Sequence, residues 1–422
     1  MTKTIQSKNL RNLRLGLIVL LSLIAFCVEA QKVVFEGVKR TKPAYLLKFI
    51  GWEKQILTDS VSIAKAVQQI KNTRFFTEVS ATVKVEAGDT SINFRCAEIH
   101  TALPIFELGA TEGNKWIRVG LEDENGLGKG IRTILFYQYS DRHSFYLKQT
   151  YPFVFKKWSL SYLLKKWSIL EPIELNGEKN IYNYTNLDAE VTTRYTFDIN
   201  RHDLELGIGY MNELYELPVG DMQNKMADMY RNKRLIVKGN HTLNRVNYST
   251  FYLDGWANKV QVYTTFSPSD KSVIGFISNE TTYFKTFPSK GNFALRSRLG
   301  ISTNSNVFLA PFVSDNYFNI RGIGDRIDRG TASATLNLEY RQTLWENKTF
   351  GIQAVGFSDA GTWRKSNGKL SDMITSNNMK LFAGVGGRLI YKKAFDFDIR
   401  LDYGWSIKGE GNGLVFGLGQ YF

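Results

Sequence analysis

The chain has 422 residues, 43% apolar and 22% charged, with a formal net charge of +14. That length exceeds one ordinary domain and implies either two domains or one large β unit. Aromatic residues reach 14%, with 35 glycines against 8 prolines, which suits strands and tight turns and argues against a helical bundle. The basic residues are scattered singly among alternating stretches, without a basic helix or zinc-finger spacing, so nucleic acid is not an expected partner. Anionic lipid head groups or acidic clients fit the charge better.

Lys3, Lys8, Arg11 and Arg14 precede an apolar run from Leu15 to Cys27, and Val28 and Ala30 fit the small-residue cleavage rule. Residues 1–30 therefore read as a signal peptide, with a mature start near Gln31; the run is short for a bilayer span. Cys27 leaves with it, so Cys96 stands alone and the mature chain is expected to have no intramolecular disulfide.

Residues 31–100 read as a small α/β domain. Val33–Phe35 is a short strand, and Thr41 is expected to cap a helix opening at Lys42-Pro43, with Leu46, Leu47 and Ile50 on its apolar face. Asp59 and Ser60 can cap a second helix, in which Ile63, Ala66, Val67 and Ile70 recur at helical spacing. Val79, Ala81, Val83 and Val85 then alternate, Ala87-Gly88-Asp89 turns, and Ile92, Phe94 and Cys96 alternate again. The order is β-α-α-β-β. Together with Phe35-Glu36-Gly37 after the first strand and Phe75-Phe76-x-x-Val79 after the second helix, it resembles a POTRA domain. Such domains are periplasmic modules that precede the barrels of the BamA/TamA-type outer-membrane assembly superfamily. The resemblance implies recruitment of clients by strand addition at a sheet edge.

From residue 101 to 422 the chain is a series of strand-like segments. They fall at about 103–111, 114–122, 130–140, 143–153, 157–167, 181–198, 201–217, 232–244, 247–265, 271–287, 291–303, 331–345, 349–363, 378–391, 395–408 and 412–422. Sixteen is an even number, as bacterial outer-membrane barrels have. In Phe395–Ser406, Phe395, Phe397, Ile399, Leu401, Tyr403 and Trp405 share one face, while Asp396, Asp398, Arg400, Asp402 and Ser406 share the other. A soluble core would strand the charged face and solvent would meet the aromatic one; lipid outside and a wet lumen inside satisfy both. A membrane β-barrel is expected, with Phe136, Tyr137, Tyr139, Phe145, Tyr146, Tyr248, Phe251, Tyr252 and Trp256 as aromatic girdles. Short turns such as Ser140-Asp141-Arg142 alternate with expected long loops at Leu170–Asn180 and Val219–Arg231.

The glycines of Gly120-Leu-Glu-Asp-Glu-Asn125-Gly126-Leu-Gly128-Lys-Gly130 lack Walker spacing and a following helix, so they read as a hairpin turn rather than a phosphate loop. Residues 316–330, NYFNIRGIGDRIDRG, form a long loop carrying Arg321, Arg326 and Arg329. Taken alone, this could be a solvated surface loop. Ile320-Arg321-Gly322-Ile323-Gly324 is similar to the superfamily's lumen-loop motif, hydrophobic-Arg-Gly-aromatic, with Ile323 in the aromatic place. Phe357-x-Asp359-x-Gly361 is similar to its wall motif, and the period of two puts all three on one face. Leu336, Leu338 and Tyr340 on one face of their strand leave Glu339 on the other. The resemblance implies that the loop folds into the lumen and that Arg321 pairs with Glu339 and Asp359.

The chain closes on Phe416-Gly417-Leu418-Gly419-Gln420-Tyr421-Phe422, which resembles the terminal signal of barrel strands. The last segment is expected to pair with the first, 103–111, and Gly417 and Gly419 should weaken that seam. The resemblance makes it a lateral gate. His100, His143, His202 and His241 are scattered, and no hydrolase or zinc motif is present, so no enzyme, metal or cofactor is expected.

The expected protein is an outer-membrane barrel with a periplasmic POTRA domain that assists insertion of other barrels. Its partners would be unfolded outer-membrane or autotransporter polypeptides, lipids, and accessory periplasmic or lipoprotein subunits. With room for one POTRA domain, an accessory or specialised role is expected. A polypeptide-secreting or porin-like pore of the same fold, and a surface antigen or scaffold, remain alternatives.

Overall fold

The computed structural model describes residues 32–422 apart from 87–88, 112–113, 176–177, 218–228, 270, 305–307, 309, 315–318 and 324–327. The signal-peptide reading therefore lies outside the described residues.

The N-terminal domain comprises β1 (Lys32–Glu36), α1 (Pro43–Ile50), α2 (Ser60–Asn72), β2 (Phe76–Glu86) and β3 (Asp89–Glu98). Its sheet runs β1-β3-β2, with β1 parallel and β2 antiparallel to β3. Leu46, Ile70, Ile92 and Phe94 are fully buried at its centre. Asp59 caps α2, its carboxylate accepting from Ser62 N at 2.9 Å. Thr41 does not cap α1. Lys42 holds that place, and the Thr41 hydroxyl donates to the Glu98 carboxylate at 2.5 Å. The same carboxylate accepts from the main-chain N–H groups of Lys39, Arg40 and Thr41. Cys96 is buried and free, and burial pushes its thiol up to about 12, so it is an inert core group.

The barrel follows as β4 (Ala102–Thr111), β5 (Asn114–Gly126), β6 (Ile131–Tyr139), β7 (His143–Phe155), β8 (Trp158–Leu175), β9 (Glu178–Phe197), β10 (His202–Glu216), β11 (Met229–Asn244), the short β12 (Asn247–Ser249), β13 (Tyr252–Phe266), β14 (Val273–Thr286) and β15 (Gly291–Ser302). A two-stranded piece, β16 (Phe312–Ser314) with β17 (Asp328–Gly330), lies inside the loop that follows. The wall resumes as β18 (Ala332–Glu346), β19 (Phe350–Arg364), β20 (Lys380–Tyr391), β21 (Asp398–Ser406) and β22 (Asn412–Leu418). Sixteen long strands thus form a closed antiparallel order. Lipid-facing side chains alternate with lumen-facing ones, as in β19, where buried Phe357 and Asp359 alternate with exposed Gly356 and Ser358. Phe106, Ile208, Val237, Val385 and Phe416, all more than half exposed, belong to the outer apolar surface.

Fifteen junctions between long strands are residue-by-residue ladders. β22 and β4 are hydrogen-bonded neighbours and close the barrel.

Several expectations need correction. Leu170–Asn180 is not a long loop, because β8 and β9 continue through it to Leu175 and from Glu178. Residues 219–228 lie outside the described set, and β11 starts at Met229. β21 begins at Asp398, because Asp396 takes φ +49° and turns the chain. Phe395 packs on the N-terminal core instead. Phe136 and Tyr146 stack on each other at 4.7 Å on the lumen side, with Arg118 over Phe136, so they belong to no outer girdle.

The N-terminal domain sits on the barrel's turns. Lys42 N donates to Gly128 O at 2.7 Å, and Asn125 Nδ2 donates to Thr41 Oγ1 at 2.7 Å. The glycine-rich hairpin is thus a docking point. Asn200 Nδ2 reaches Phe49 O at 2.7 Å. Arg74 bonds Asp396 at 2.5 Å between the Tyr248 and Phe395 rings.

Candidate functional site

The loop between β15 and β18 enters the barrel because apolar residues flank its arginine. Ile320 and Ile323 are buried with Trp363 and Phe382, so Ile323, in the place expected for an aromatic, serves as an aliphatic anchor. Gly322 has φ +90°, and a Cβ there would lie 2.5 Å from the backbone of Gly404. Only glycine permits both the turn and that approach. Gly361 leaves room for Ile320, whose Cδ1 would lie 2.9 Å from an added Cβ. Gly324 lies outside the described residues, as does Arg326. Two further points hold the loop. Phe308 sits among the rings of Tyr182, Tyr215 and Tyr230, its carbonyl accepting from Tyr215 Oη at 2.8 Å. Phe312 stacks on Phe276 at 5.1 Å.

Arg321 is the centre of this arrangement. Its Nε and Nη2 donate to Asp359 Oδ2 and Oδ1 at 2.9 and 3.0 Å, and its main-chain N donates to the same carboxylate at 3.0 Å. Nη1 donates to Glu339 Oε2 at 2.5 Å and lies 3.5 Å from Asp402. The guanidinium carbon is 3.6 Å from the Phe357 ring centroid on one side and 4.1 Å from that of Tyr421 on the other. The fork is therefore held in plane by carboxylates and above and below by rings.

The carboxylates around Arg321 are shared with other arginines. The second oxygen of Glu339 accepts from Arg341 at 2.7 Å and Arg388 at 3.3 Å, and Arg388 also grips Asp402 at 2.6 and 3.2 Å. Four guanidiniums (Arg321, Arg341, Arg388 and, 3.7 Å from Asp402, Arg400) thus face three carboxylates (Glu339, Asp359, Asp402), all at most 6% exposed. Burial of these ions is tolerable only because each is paired. Asn337 completes the shell, donating to Asp359 at 2.9 Å and to the carbonyl of Asn319 at 2.8 Å.

Sequence reasoning singled out Arg321, Glu339, Phe357, Asp359 and Gly361, and the structure brings them together. It missed Asn337, Arg341, Arg388, Asp402 and Tyr421 as members of the same cluster. For Asn337 and Arg341 the signal was available, since they share the Glu339 face at period two.

The terminal stretch behaves differently from the expectation. Phe416 is 58% exposed on the lipid side, and Gly417 leaves space for the Arg400 side chain. Leu418 ends the strand. Gly419, at φ +77°, turns the chain into the lumen, so Phe422 does not belong to a closing strand beside 103–111. Rings that would face lipid lie over arginines instead.

A model described as the Omp85 superfamily domain matches residues 125–422. The chain belongs to the Omp85 superfamily. No curated protein matches it. Among solved structures, this Omp85 barrel is similar to BamA from Haemophilus ducreyi lacking POTRA domains 1–3, at 16% identity and TM-score 0.56, over 92% of this chain and 82% of that one. It is also similar to CdiB from Escherichia coli, at 13% identity and TM-score 0.60, over 92% and 73%. CdiB from Acinetobacter baumannii gives 11% and 0.57, over 92% and 74%. At such identities the likeness establishes the fold. The protein is an outer-membrane β-barrel of the BamA/TamA type. Members of the superfamily are assembly and transport barrels that interact with outer-membrane protein substrates.

Proposed function

We propose that the protein assists insertion of outer-membrane polypeptides, taking client strands at the seam between β4 and β22. The carrying observation is that β22, which closes the barrel against β4, is the shortest of the sixteen long strands, seven residues with Gly413 and Gly417 among them, so that this seam opens more easily than the others. Strand edges with unpaired N–H and C=O groups are templates for an incoming strand, and lipid makes pairing strongly favourable. Pairing and burial of apolar faces supply the driving force, so no nucleotide is required.

In this reading the N-terminal domain is a POTRA domain on the periplasmic side. Its support is β2, an eleven-residue strand at the edge of the sheet among the described residues, with Val83 and Val85 exposed. Such an edge receives an extended client by strand addition. Clients would be unfolded outer-membrane or autotransporter chains, with lipids and accessory periplasmic or lipoprotein subunits as further partners. The arginine box would keep the loop of residues 316–330 inside while the seam works.

Cross-linkers on 103–111 and 412–418 should capture nascent barrel proteins during active synthesis, and their failure to do so would sink this reading. A second reading, export of a polypeptide through the lumen, draws on the charged inner wall of β8–β11, where Lys165, Asp188, Glu190 and Lys238 line up in pairs. Large single-channel conductance in the intact protein, unchanged by removal of 316–330, would favour that pore.

A further inference from the structure

We propose that His202 and His241 form a binding site for a divalent transition-metal ion of the kind imidazole takes, such as zinc, on the outer wall of the barrel at the rim that carries the N-terminal domain. The site is independent of how the barrel handles polypeptides.

The chain has 4 histidines, and two of them, 39 positions apart, meet. No spacing in the sequence reveals this, because it depends on strand register. In the β10–β11 ladder His202 stands opposite Leu243 and His241 opposite Leu204, so the two histidines share one face on adjoining strands. Leu204, Leu206, Ile208, Leu235 and Val237 lie on the same face and are exposed, which makes it the lipid-facing one. His202 Nδ1 and His241 Nε2 are 3.2 Å apart, with ring centroids 5.4 Å apart and planes 24° from parallel. Phe197 stacks on His202 at 4.9 Å and 10°, which restricts that imidazole further. The adjoining turn contains Asn200, whose side chain bonds Phe49 O of the N-terminal domain.

Zinc holds imidazole nitrogens at about 2.0–2.1 Å in tetrahedral array, which sets two ligand nitrogens roughly 3.3–3.4 Å apart. Two nitrogens already 3.2 Å apart need little movement to grip one ion. In the hydrogen-bonded pair one imidazole donates its N–H to the other. On binding, the donor carries that proton on its second nitrogen, so both facing nitrogens present lone pairs and no net proton is lost. An aromatic girdle does not need this contact, because there a single Tyr or Trp ring reaches the head groups, whereas imidazole is the ring that ligates metals. Among the described residues no third His, Cys, Asp or Glu joins the pair, so water fills the remaining positions and the ion is exchangeable. When bound, the ion staples β10 to β11 beside the turn that holds the N-terminal domain.

The test uses the full chain in detergent, carrying a purification tag free of histidine, with Zn²⁺ as the probe in a calorimetric titration. The native protein should bind the ion saturably. His202→Ala and His241→Ala should each weaken binding by at least about tenfold, since losing a ligand costs no less than losing a contact that supports one. His100→Ala and His143→Ala should leave it unchanged. His202→Phe keeps a ring against Phe197 but cannot ligate, so it decides the matter if an alanine variant fails to fold, shown by loss of its heat-modifiable gel mobility. Saturating Zn²⁺ should also raise the gel-shift melting temperature of the native protein and not that of His202→Phe. Absence of saturable binding by the native chain, or binding or stabilisation that persists undiminished in His202→Phe, overturns the site.

Discussion

The two halves of the lumen wall are built from the same alternation yet behave differently. Along β18–β21, Arg321 and the carboxylates it meets have no exposed side-chain surface. Along β8–β10, Lys165 and Asp188 pair at 3.1 Å with side chains 24% and 6% exposed, and Arg194 and Asp203 stand 3.8 Å apart, about a third exposed. Period two puts charge inside both halves. The packed half differs because a loop and a tail fill it, and filling converts screened pairs into desolvated ones. Desolvation raises the cost of losing a partner from under about 1 kcal/mol to about 3–5 kcal/mol.

That contrast can be broken most sharply at its centre. Arg321→Ala should strip Asp359 of its guanidinium, leave Glu339 to Arg341 and Arg388, and cost about 3–5 kcal/mol. The loop should leave the lumen, the gel-shift melting temperature should fall, and protease should cut within 316–330. An unchanged melting profile would count against the charge anchor. Phe357→Leu keeps the apolar volume but removes one ring from the guanidinium, with an expected loss of about 1–2 kcal/mol in the same assay. In the other half, Arg194→Ala should shift stability by less than about 1 kcal/mol, and a larger drop would abolish the distinction between packed and wet walls.

The smallest effect should come from the N-terminal domain. Burial works to raise the Glu98 pKa, but the hydrogen bonds from Thr41, Arg40 and Lys39 outweigh it and hold the carboxyl below its ordinary value. A depressed carboxylate pKa adds stability above the ordinary value, near 4.5, and loses it as pH falls through the folded value. Limited proteolysis should therefore find the segment at 39–42 released in acid, and Glu98→Gln should flatten that pH dependence. Protection that stays constant down to strong acid would contradict it.

Much of this was legible locally. Helix caps and apolar spacing located α2, with Asp59 at its start and Ile70 in its core. Alternation located all sixteen long strands, because a wall between lipid and a wet lumen imposes period two on each of them. It also put Glu339 on the inner face, whereas Asp359 was placed there by the resemblance of Phe357-x-Asp359-x-Gly361 to the wall motif, since the opposite face of that strand is only weakly apolar. What failed were the ends. The aromatic alternation of Phe395 and Phe397 continues that of β21, yet Asp396 turns the chain and Phe395 serves another domain. Val-x-Gly-x-Gly-x-Tyr-Phe also reads as a strand to its end, and Gly419 bends it inward.

By itself the sequence determined the number of strands, the face each side chain takes and the charge stored inside, because those follow from a periodicity shared by neighbouring residues. The resemblance paired Arg321 with Glu339 and Asp359, and only the tertiary structure decided which further charges meet them. Asp402 and Arg388 join Arg321 from strands far along the chain, and Tyr421 arrives from the tail. Pairing of that kind depends on barrel closure and on what fills the lumen, and no local pattern encodes either.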